Sequence, residues 1–173
     1  MTSARGAHIV AAALDVIAAQ GIDGASLRTV ATAAGVSLAQ VQYYFRSKDE
    51  LIRAGFAAVS EQYLAAVEDH LHDLRETVWR WLPLDEEREK WSRVWLAYTA
   101  ISVTNAELAQ ESATTNAELR GWLTDQLHDQ TAAAQLLALV DGYTVQALCL
   151  PIEERAELAE RTLGAFLEAH SPS

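Results

Sequence analysis

Apolar residues recur along this chain at spacings of three and four positions, which is the pattern of amphipathic α-helices. The first such segment predicts a helix over residues 5–19 that ends at Gly21. The Asp23-Gly24 pair then marks a turn, and Ser26 is placed to cap the next helix. The apolar positions of the first helix are Ile9, Ala13, Leu14, Val16 and Ile17.

Residues 26–51 predict two short helices joined by a tight turn, followed by the start of a third helix. Gly35 can adopt a positive φ without a Cβ penalty. Ser37, with Gln40 three positions later, has the spacing of a capping box. The inner positions of the two short helices are small or apolar, so the helices can pack closely. These positions are Val30, Ala31, Val36, Val41 and Phe45.

The middle of the chain continues the helical pattern. A second capping-box sequence, Ser47-Lys48-Asp49-Glu50, predicts the start of a long helix over residues 48–71. A short helix over residues 74–82 ends before Pro83, because proline cannot continue it. Asp85 is placed to cap the helix that follows.

The last third of the chain predicts three more helices. One begins at Asn105 or Ala106, one covers residues 131–150, and one covers residues 152–170 after Pro151, which suits a first helical turn. Residues 131–150 are apolar on more than one face, so we expect this helix to be buried on both sides. A symmetric dimer would supply the second partner surface.

The connection at residues 128–130 is short, and two interpretations are open. Either it is a tight turn capped by Asp129, or residues of a longer loop are absent from the sequence. Successive Cα atoms about 3.8 Å apart would indicate the tight turn.

The second short helix of residues 26–51 has an outer face suited to reading DNA. Glutamine can bond adenine in a bidentate way, and apolar or aromatic groups can contact thymine methyls. A short capped helix with such a face is typical of DNA-reading elements, although two ordinary amphipathic helices joined at a glycine give a similar pattern. The outward positions are Leu38, Gln40, Gln42, Tyr43 and Tyr44.

Five motifs in continuous register cover about the first third of the chain. They are Ile17-Ala18-Ala19-Gln20-Gly21, Ser26-Leu27-Arg28-Thr29-Val30-Ala31, Ala34-Gly35-Val36-Ser37, Tyr43-Tyr44-Phe45 and Ser47-Lys48-Asp49-Glu50-Leu51. Together they resemble the tetracycline-repressor (TetR) family of bacterial transcription regulators. Two positions depart from the family pattern, at Ala39-Gln40 and at Gln42, so the base preference of other members does not carry over.

The resemblance implies an all-α fold with three parts. Residues 1–47 would form a three-helix, helix-turn-helix DNA-binding head, residues 48–71 a connecting helix, and residues 72–173 a helical body for effector binding and dimerisation. It also implies a homodimer that binds double-stranded DNA at a palindromic operator and is released by a small-molecule effector. The stretches at residues 91–98 and 139–143 resemble the betaine-pathway type of C-terminal domain, which names no ligand.

The resemblance and the helix geometry also imply roles for individual residues. Gln40, Gln42 and Tyr43 are expected to meet base edges, and Tyr44 and Lys48 to touch phosphate. The complete set of expected DNA-binding residues is Ser26, Arg28, Ser37, Leu38, Ala39, Gln40, Gln42, Tyr43, Tyr44 and Lys48. The last two helices are expected to form the dimer contact through Leu137, Val140, Leu148, Leu163 and Phe166.

Aromatic residues are concentrated in the body, at Trp79, Trp81, Trp91, Trp95, Tyr98, Trp122 and Tyr143. Such rings suit a small-molecule pocket, although a single tryptophan at helical spacing more often fills a core. The family resemblance favours a pocket among the middle body helices, for an effector that is largely apolar and can carry a positive charge. The expected lining is Trp91, Trp95, Tyr98, Ser102, Trp122 and Tyr143, with Asn105 and Gln126 as further hydrogen-bonding groups.

Composition agrees with an all-α globule: half of the 173 residues are hydrophobic and only three are proline. We find no apolar run of membrane-spanning length and no signal-peptide profile, which predicts a cytoplasmic protein. The single cysteine, Cys149, excludes an intramolecular disulfide, and its apolar surroundings predict a small core residue.

Charge is divided unevenly along the chain. The net charge of −11 is unusual for a nucleic-acid-binding protein. Residues 1–53 contain five basic and four acidic residues, whereas the remainder contains eight basic and twenty acidic ones. This asymmetry restricts any DNA contact to the first third. Because residues 1–53 carry a net charge of only +1, we expect each subunit to bind DNA with modest affinity, so that DNA binding depends on dimerisation.

Catalytic motifs are lacking. The histidines are scattered, and His70 and His72 would face opposite sides of a helix, which makes a poor metal pair. No nucleotide-binding loop or nucleophile elbow is found, so we expect no enzyme, no cofactor and no metal site. Two alternatives to a regulator stay open. One is a helical interaction module whose head has lost DNA binding, and the other is an all-α enzyme.

Overall fold

The computed structural model describes residues 3–69 and 73–170, without the side chains of residues 66–69. The described chain contains helices and no strands, which confirms the all-α fold. The helices are α1 (Ala4–Gly24), α2 (Leu27–Ala33), α3 (Leu38–Tyr44), α4 (Lys48–Asp69), α5 (Leu74–Trp81), α6 (Glu86–Ser102), α7 (Ala106–Leu127), α8 (Gln130–Ala147), α9 (Ile152–Ala159) and α10 (Ala165–His170), and a π-helical turn, Glu160–Gly164, joins the last two.

The turn between α2 and α3 has the predicted geometry. Gly35 adopts a φ of 63°, and Ser26 caps α2 by accepting from the backbone N–H of Thr29. The Ser37 hydroxyl accepts from Gln40 N at 3.2 Å, while Gln40 Oε1 accepts from Ser37 N at 3.1 Å, which completes the capping box. Local polar contacts therefore set the start of both short helices.

The N-terminal helices differ from the prediction in two details. The first helix is interrupted at Gly21, as predicted, where a φ of 70° and a ψ of 178° are non-helical. A further helical turn then reaches Gly24, and Ile22 in this turn packs against the apolar core. At α4, Ser47 Oγ accepts from Glu50 N, but the Glu50 carboxylate accepts from Arg46 N instead of returning to Ser47. Only half of the second capping box therefore forms.

The connection between α7 and α8 is a tight turn. His128 takes a left-handed conformation with a φ of 53°, and Asp129 caps α8 by accepting from the N–H groups of Thr131 and Ala132. The chain as given therefore forms the tight turn capped by Asp129. Helix α8 ends at Ala147, three residues earlier than predicted, where the backbone turns toward Pro151.

The final predicted helix is interrupted. Residues 160–164 form a π-helical turn, and the hydroxyl of Thr162 donates to Leu158 O at 2.7 Å. Gly164 lies so close to Glu160 that an added Cβ would be 2.8 Å from its carboxylate. A shift of the flexible Glu160 side chain would make room for a Cβ at this position.

Two main apolar clusters hold the chain together. The first contains the inner residues of α1, α2 and α3 together with Val59 of α4 and Val94 of α6. The second joins α5, α7, α8 and the final helices around Leu123, Leu136 and Leu163. The head and the body are therefore packed together, because α4 and α6 contribute residues to the same apolar cluster as the head helices.

Helix α1 is an apolar run of membrane-spanning length, contrary to the expectation from the sequence. It is 21 residues long with a mean hydropathy of 1.2, so by length and composition it could cross a bilayer. Its apolar side is buried in the head core, where Ile9 and Ala13 are fully inaccessible. The apolar composition of α1 is thus explained by its packing.

Candidate DNA-reading surface and effector site

Helix α3 presents one face to the core and the other to solvent. Val41 is fully buried, whereas Tyr43 is 81% exposed, and Ala39 and Gln42 are also exposed. The ring of Tyr43 meets the ring of Tyr44 edge to face, with centroids 5.1 Å apart. The outer face therefore carries an aromatic pair and an amide, groups that can contact bases and phosphates.

The remaining predicted DNA contacts lie at or near the starts of α2, α3 and α4. Ser26, Arg28 and Ser37 are exposed, and Leu38 is half-buried. Lys48 donates weakly to Asp23 O at 3.4 Å, which leaves its ammonium able to reach a phosphate. Among the described residues the Arg28 guanidinium has no ion-pair partner, so it too is available.

Gln40 differs from Gln42 because its amide oxygen is already used in the capping box. A bidentate contact to adenine needs both the oxygen and the nitrogen of the amide. Gln40 can therefore offer only its nitrogen to a base while α3 keeps this cap. Gln42 keeps both groups free for an adenine.

A cavity of about 620 Å³ opens between α4, α5 and the start of α6. Its aromatic wall is formed by Tyr63, Trp79, Trp81 and Trp91. The other lining residues are Gln62, Ala65, Glu76, Arg80, Asp85, Glu87 and Arg88. A volume of this size suits a small organic molecule.

The arginines that line the cavity are neutralised by neighbours. Arg88 pairs with Asp85 at 2.7 Å and donates to Trp79 O at 2.9 Å. Arg80 lies 3.5 Å from the Glu76 carboxylate. Glu87 has no ion pair among the described residues. The cavity therefore offers aromatic faces and a small excess of negative charge.

The structure brings one of the six predicted pocket residues, Trp91, into this cavity. Trp122 lies behind the wall, with its ring 5.8 Å from that of Trp81, and Trp95 is half-buried elsewhere on α6. Trp79 and Trp81 belonged to the aromatic set seen in the sequence. Both line the cavity, which lies at the start of α6, whereas the predicted pocket residues are centred on the middle of that helix.

The other three predicted pocket residues are buried and already have partners. Tyr98 stacks on Phe56, with ring centroids 3.6 Å apart, and its hydroxyl donates to Glu111. Ser102 donates to Tyr98 O, and Tyr143 donates to Arg155 O at 2.9 Å. Burial, with the bond to Glu111, raises the pKa of Tyr98 to about 12. These contacts bind helices together and lie outside the cavity lining.

Of the two remaining polar positions, Asn105 caps α7 through its side-chain oxygen, and Gln126 is half-buried on that helix. Neither residue lines the cavity. Their proposed role as ligand-orienting groups gains no support from the position of this cavity.

Tyr63 and Trp91 connect the cavity to the head. Both line the cavity, and both pack against the apolar cluster that contains the inner residues of α1, α2 and α3. Tyr63 also packs against the body cluster, and its carbonyl oxygen accepts from Trp81 Nε1 at 3.2 Å. A molecule in the cavity would therefore touch two residues that pack against the apolar cluster to which the head helices contribute.

Ion pairs reinforce the same junction. Lys90 of α6 pairs with Asp15 of α1 at 3.0 Å. Arg53, near the start of α4, pairs with Glu107 at 2.8 Å and with Glu111 of the same helix. The Lys90 pair thus attaches the head directly to α6, and the Arg53 pairs attach the connecting helix α4 to α7.

Sequence profiles of two known families match this chain. The profile described as "Bacterial regulatory proteins, tetR family" matches residues 9–54. The profile described as "BetI-type transcriptional repressor, C-terminal" matches residues 70–172, more than half of the chain. The chain belongs to the TetR family of transcriptional regulators. Members of this family are regulators and not enzymes.

Similar proteins agree with this assignment over the full length. A transcriptional regulator from Rhodococcus sp. Rha1 is 30% identical, with a TM-score of 0.83 over 96% of this chain and 98% of that one. The regulator PksA of Bacillus subtilis (strain 168) is 29% identical over 94% of this chain and 87% of PksA. The multidrug binding protein EbrR, complexed with malachite green, is 27% identical, with a TM-score of 0.73 over 95% and 98%.

The predicted dimer residues of this TetR-family regulator are mostly in its own core. Leu137 and Val140 are each 7% exposed and Leu163 is fully buried, whereas Leu148 and Phe166 are half-buried. The first three can therefore add little area to a contact with a second subunit. The exposed small or apolar positions on α8 and just after it are Ala134, Ala138, Gly142, Val145 and Cys149.

The predictions for the single cysteine and for two of the histidines can also be compared with the structure. Cys149 was expected in the core and is exposed, which makes that prediction wrong. His70 and His72 lie outside the described residues, as does the boundary expected between residues 71 and 72. Within the described part of the regulator, no cluster of three or more metal-ligating side chains occurs.

Proposed function

We propose that this TetR-family regulator is a dimeric, cytoplasmic repressor that binds a palindromic operator through residues 26–45. A small-molecule effector in the cavity between α4, α5 and α6 releases it. The division into a head at residues 1–47, a connecting helix at 48–71 and a body at 72–173 belongs to this proposal. The observation that carries it is that Tyr63 and Trp91 line the cavity and pack against the head core.

Within the head, Gln42 and Tyr43 read bases, while Tyr44, Lys48 and Arg28 contact phosphate. Gln40 adds at most one hydrogen bond, because its oxygen caps α3. The hydroxyls of Ser26 and Ser37 hold helix starts, where backbone N–H groups favour phosphate. Leu38 and Ala39 supply apolar contact. The small positive charge of the first 53 residues makes two heads per operator necessary for useful affinity.

The dimer forms through the outer faces of α8 and the last helices. Val145, 43% exposed, and its small neighbours on α8 can pack against their own copies across a two-fold axis. Leu148 and Phe166 contribute their exposed parts. The two copies of α3 then stand about 34–36 Å apart, which matches successive major grooves.

Effector release follows from linkage between two arrangements. A ligand lowers DNA affinity only if it binds the DNA-incompetent arrangement more tightly. Expansion of the cavity would move Tyr63 and Trp91, and with them α4 and α6 relative to α1. EbrR has been crystallised with malachite green, which supports a small organic effector here. The aromatic wall favours a largely apolar molecule.

A binding experiment tests this proposal. Duplexes with randomised, symmetric half-sites are selected on the purified protein, and the affinity of the selected duplex is measured between 50 and about 200 mM salt. We expect affinity to fall steeply with salt and malachite green to release the duplex. If no duplex is selected and binding stays independent of salt, the chain is a helical interaction module that has lost DNA binding.

A further inference from the structure

Three polar groups inside the body lack partners. The hydroxyl of Ser92 is fully buried and, like the buried Trp122 Nε1, forms no hydrogen bond among the described residues. The half-buried Asp141 carboxyl has neither a hydrogen bond nor an ion pair within the described chain. Buried polar groups are nearly always satisfied in native proteins, so each of these groups calls for an explanation.

None of these groups lines the cavity, but two of them act on Tyr63, which does. Tyr63, which lines the cavity, is close enough to Asp141 and Ser92 for both to affect the pKa of its phenol. Burial is the main reason that this pKa is raised, and the Asp141 carboxylate adds to the effect. Ser92 acts in the opposite direction, although its hydroxyl does not reach hydrogen-bonding geometry.

The indole of Trp122 adjoins the wall from another side. Its ring centroid lies 5.8 Å from that of Trp81, which lines the cavity. Trp81 in turn donates to the backbone of Tyr63. The wall residues Tyr63 and Trp81 thus separate the open cavity from a carboxylate, a hydroxyl and an indole N–H that all lack partners.

The three unpaired groups have hydrogen-bonding properties that suit an ammonium group of a ligand. A carboxylate and a hydroxyl can both accept from an ammonium group, and the indole can donate to an oxygen beside it. Arg80 and Arg88 are already paired, so the lining has no free cation for an anionic ligand. Aromatic faces also attract cations.

We propose that Asp141 and Ser92 bind the protonated amine of the effector, while Tyr63, Trp79 and Trp81 hold its apolar body. This inference rests on the proposed function, because it names the ligand class of the same site. Entry of the amine moves the Tyr63 ring away from Asp141. Since Tyr63 also packs against the head core, this movement is the first step of release.

Two probes of matched shape test the charge requirement. 1-Naphthylmethylamine is an ammonium ion at neutral pH, and 1-naphthylmethanol is its neutral counterpart. Calorimetric titration of the full chain should show the amine binding at least about tenfold more tightly, the gain of one charge-assisted hydrogen bond. Asp141→Asn should remove this preference and leave the affinity for the alcohol within about twofold.

Two control variants locate the effect. Asp125→Asn removes one exposed carboxylate from α7 and should behave like the wild type. Glu87→Gln removes the unpaired carboxylate of the cavity lining and should also keep the preference for the amine. Ser92→Ala should weaken the amine and spare the alcohol, which gives a second variant that does not depend on Asp141.

The outcomes separate this inference from the proposed function. Equal binding of both probes, or loss of the preference in Glu87→Gln instead of Asp141→Asn, overturns the amine site. If the amine binds through Asp141 but leaves operator affinity unchanged, the amine site stands and effector release fails. If neither probe binds the wild type, the amine site is overturned, whereas the proposed function is still decided by duplex selection and release with malachite green.

Discussion

The DNA-binding head and the cavity region of the body treat polar groups in opposite ways. In the described part of the head, residues 3–47, no polar side chain is buried, and the cap hydroxyls of Ser26 and Ser37 bond within three residues. Behind the cavity, Ser92, Trp122 and Asp141 lack partners. A reading helix needs a fixed shape, whereas a ligand site keeps polar groups that its ligand will satisfy.

The difference also follows from how each region is assembled. The turn and the helix caps of the head form between residues a few positions apart, although α1 also packs against α6. The cavity region combines α4, α5 and α6, and the groups behind it come from α6, α7 and α8. Each unpaired group there lowers stability, which is the usual cost of a functional site.

Arg155 differs from the unpaired polar groups of the body because it is buried and has partners. Its loss should lower the stability of the protein more than any of the other substitutions that we propose. This arginine is 3% exposed, pairs with Glu89 at 2.8 Å, and donates to the carbonyls of Pro83 and Leu150. Arg155→Ala removes the donor to two carbonyls and one of the two ion pairs of Glu89, which keeps its pair with Arg93. We expect the free energy of unfolding in urea to fall by about 2–5 kcal/mol, because each buried carbonyl left without a donor costs about 1–3 kcal/mol.

The matched control for that variant is Arg161→Ala. Arg161 is exposed and lies 3.6 Å from Glu157 one turn away, so its loss should change stability by less than about 0.5 kcal/mol. Similar losses for both variants would mean that the body tolerates unpaired buried groups generally. The contrast between head and body would then have no bearing on a ligand site.

The turn of the head could be predicted from the sequence, whereas the cavity could not. Gly35, Ser37 and Gln40 determine their turn through contacts within a few positions, and the structure has that turn as predicted. Asp141 lies far in sequence from Tyr63 and Ser92, and only tertiary packing brings them together. Periodicity placed Asp141 on a helix but gave no information about its neighbours.

The dimer prediction shows the same limit. Apolar periodicity singled out Leu137, Val140 and Leu163 as positions to be buried, but it could not tell an intramolecular core from a contact between subunits. The structure assigns these three to the core of a single chain. The exposed face of α8 is made of small residues, which carry little hydropathy signal.

Within the head, Gln42 and Lys48 separate base reading from phosphate binding. Gln42→Ala should relax selectivity at one base pair by about 1–3 kcal/mol, because a bidentate contact is lost. Lys48→Ala should weaken all duplexes about equally and lower the salt slope by about one. Both are measured by anisotropy on duplexes that differ at single positions. An identical, sequence-independent loss for both would contradict this division of roles.

Asp141 gives the corresponding test for the body. Burial raises the pKa of its carboxyl from an ordinary 3.8 to about 6. Between these values the folded state binds more protons than the unfolded chain, so stability falls as the pH rises through this range. Asp141→Asn removes that loss and should stabilise the unliganded protein by about 1–2 kcal/mol at pH 7, a value reduced for partial solvent exposure.

Urea unfolding of wild type and Asp141→Asn at pH 4 and pH 7 measures this effect. The stabilisation should be seen at pH 7 and be nearly absent at pH 4, where the carboxyl is protonated in the folded state. A gain of equal size at both pH values would show that packing, and not ionisation, distinguishes the asparagine. The carboxylate would then not be held in readiness for a cation.

Gln40 gives the smallest effect and the finest test of the comparison. Its amide oxygen completes the capping box, so Gln40→Ala should lower the stability of the protein by about 0.5–1 kcal/mol. Ser37→Ala, which removes the other half of the box, should cost about the same. Because the oxygen is engaged, Gln40→Ala should change operator affinity no more than Ser37→Ala does. A loss of affinity that is confined to one base pair and occurs only in Gln40→Ala would contradict this. The Gln40 amide would then give up its capping hydrogen bond and contact a base when the operator binds. That part of the head would resemble the cavity, because its polar group would find its final partner only in the bound ligand.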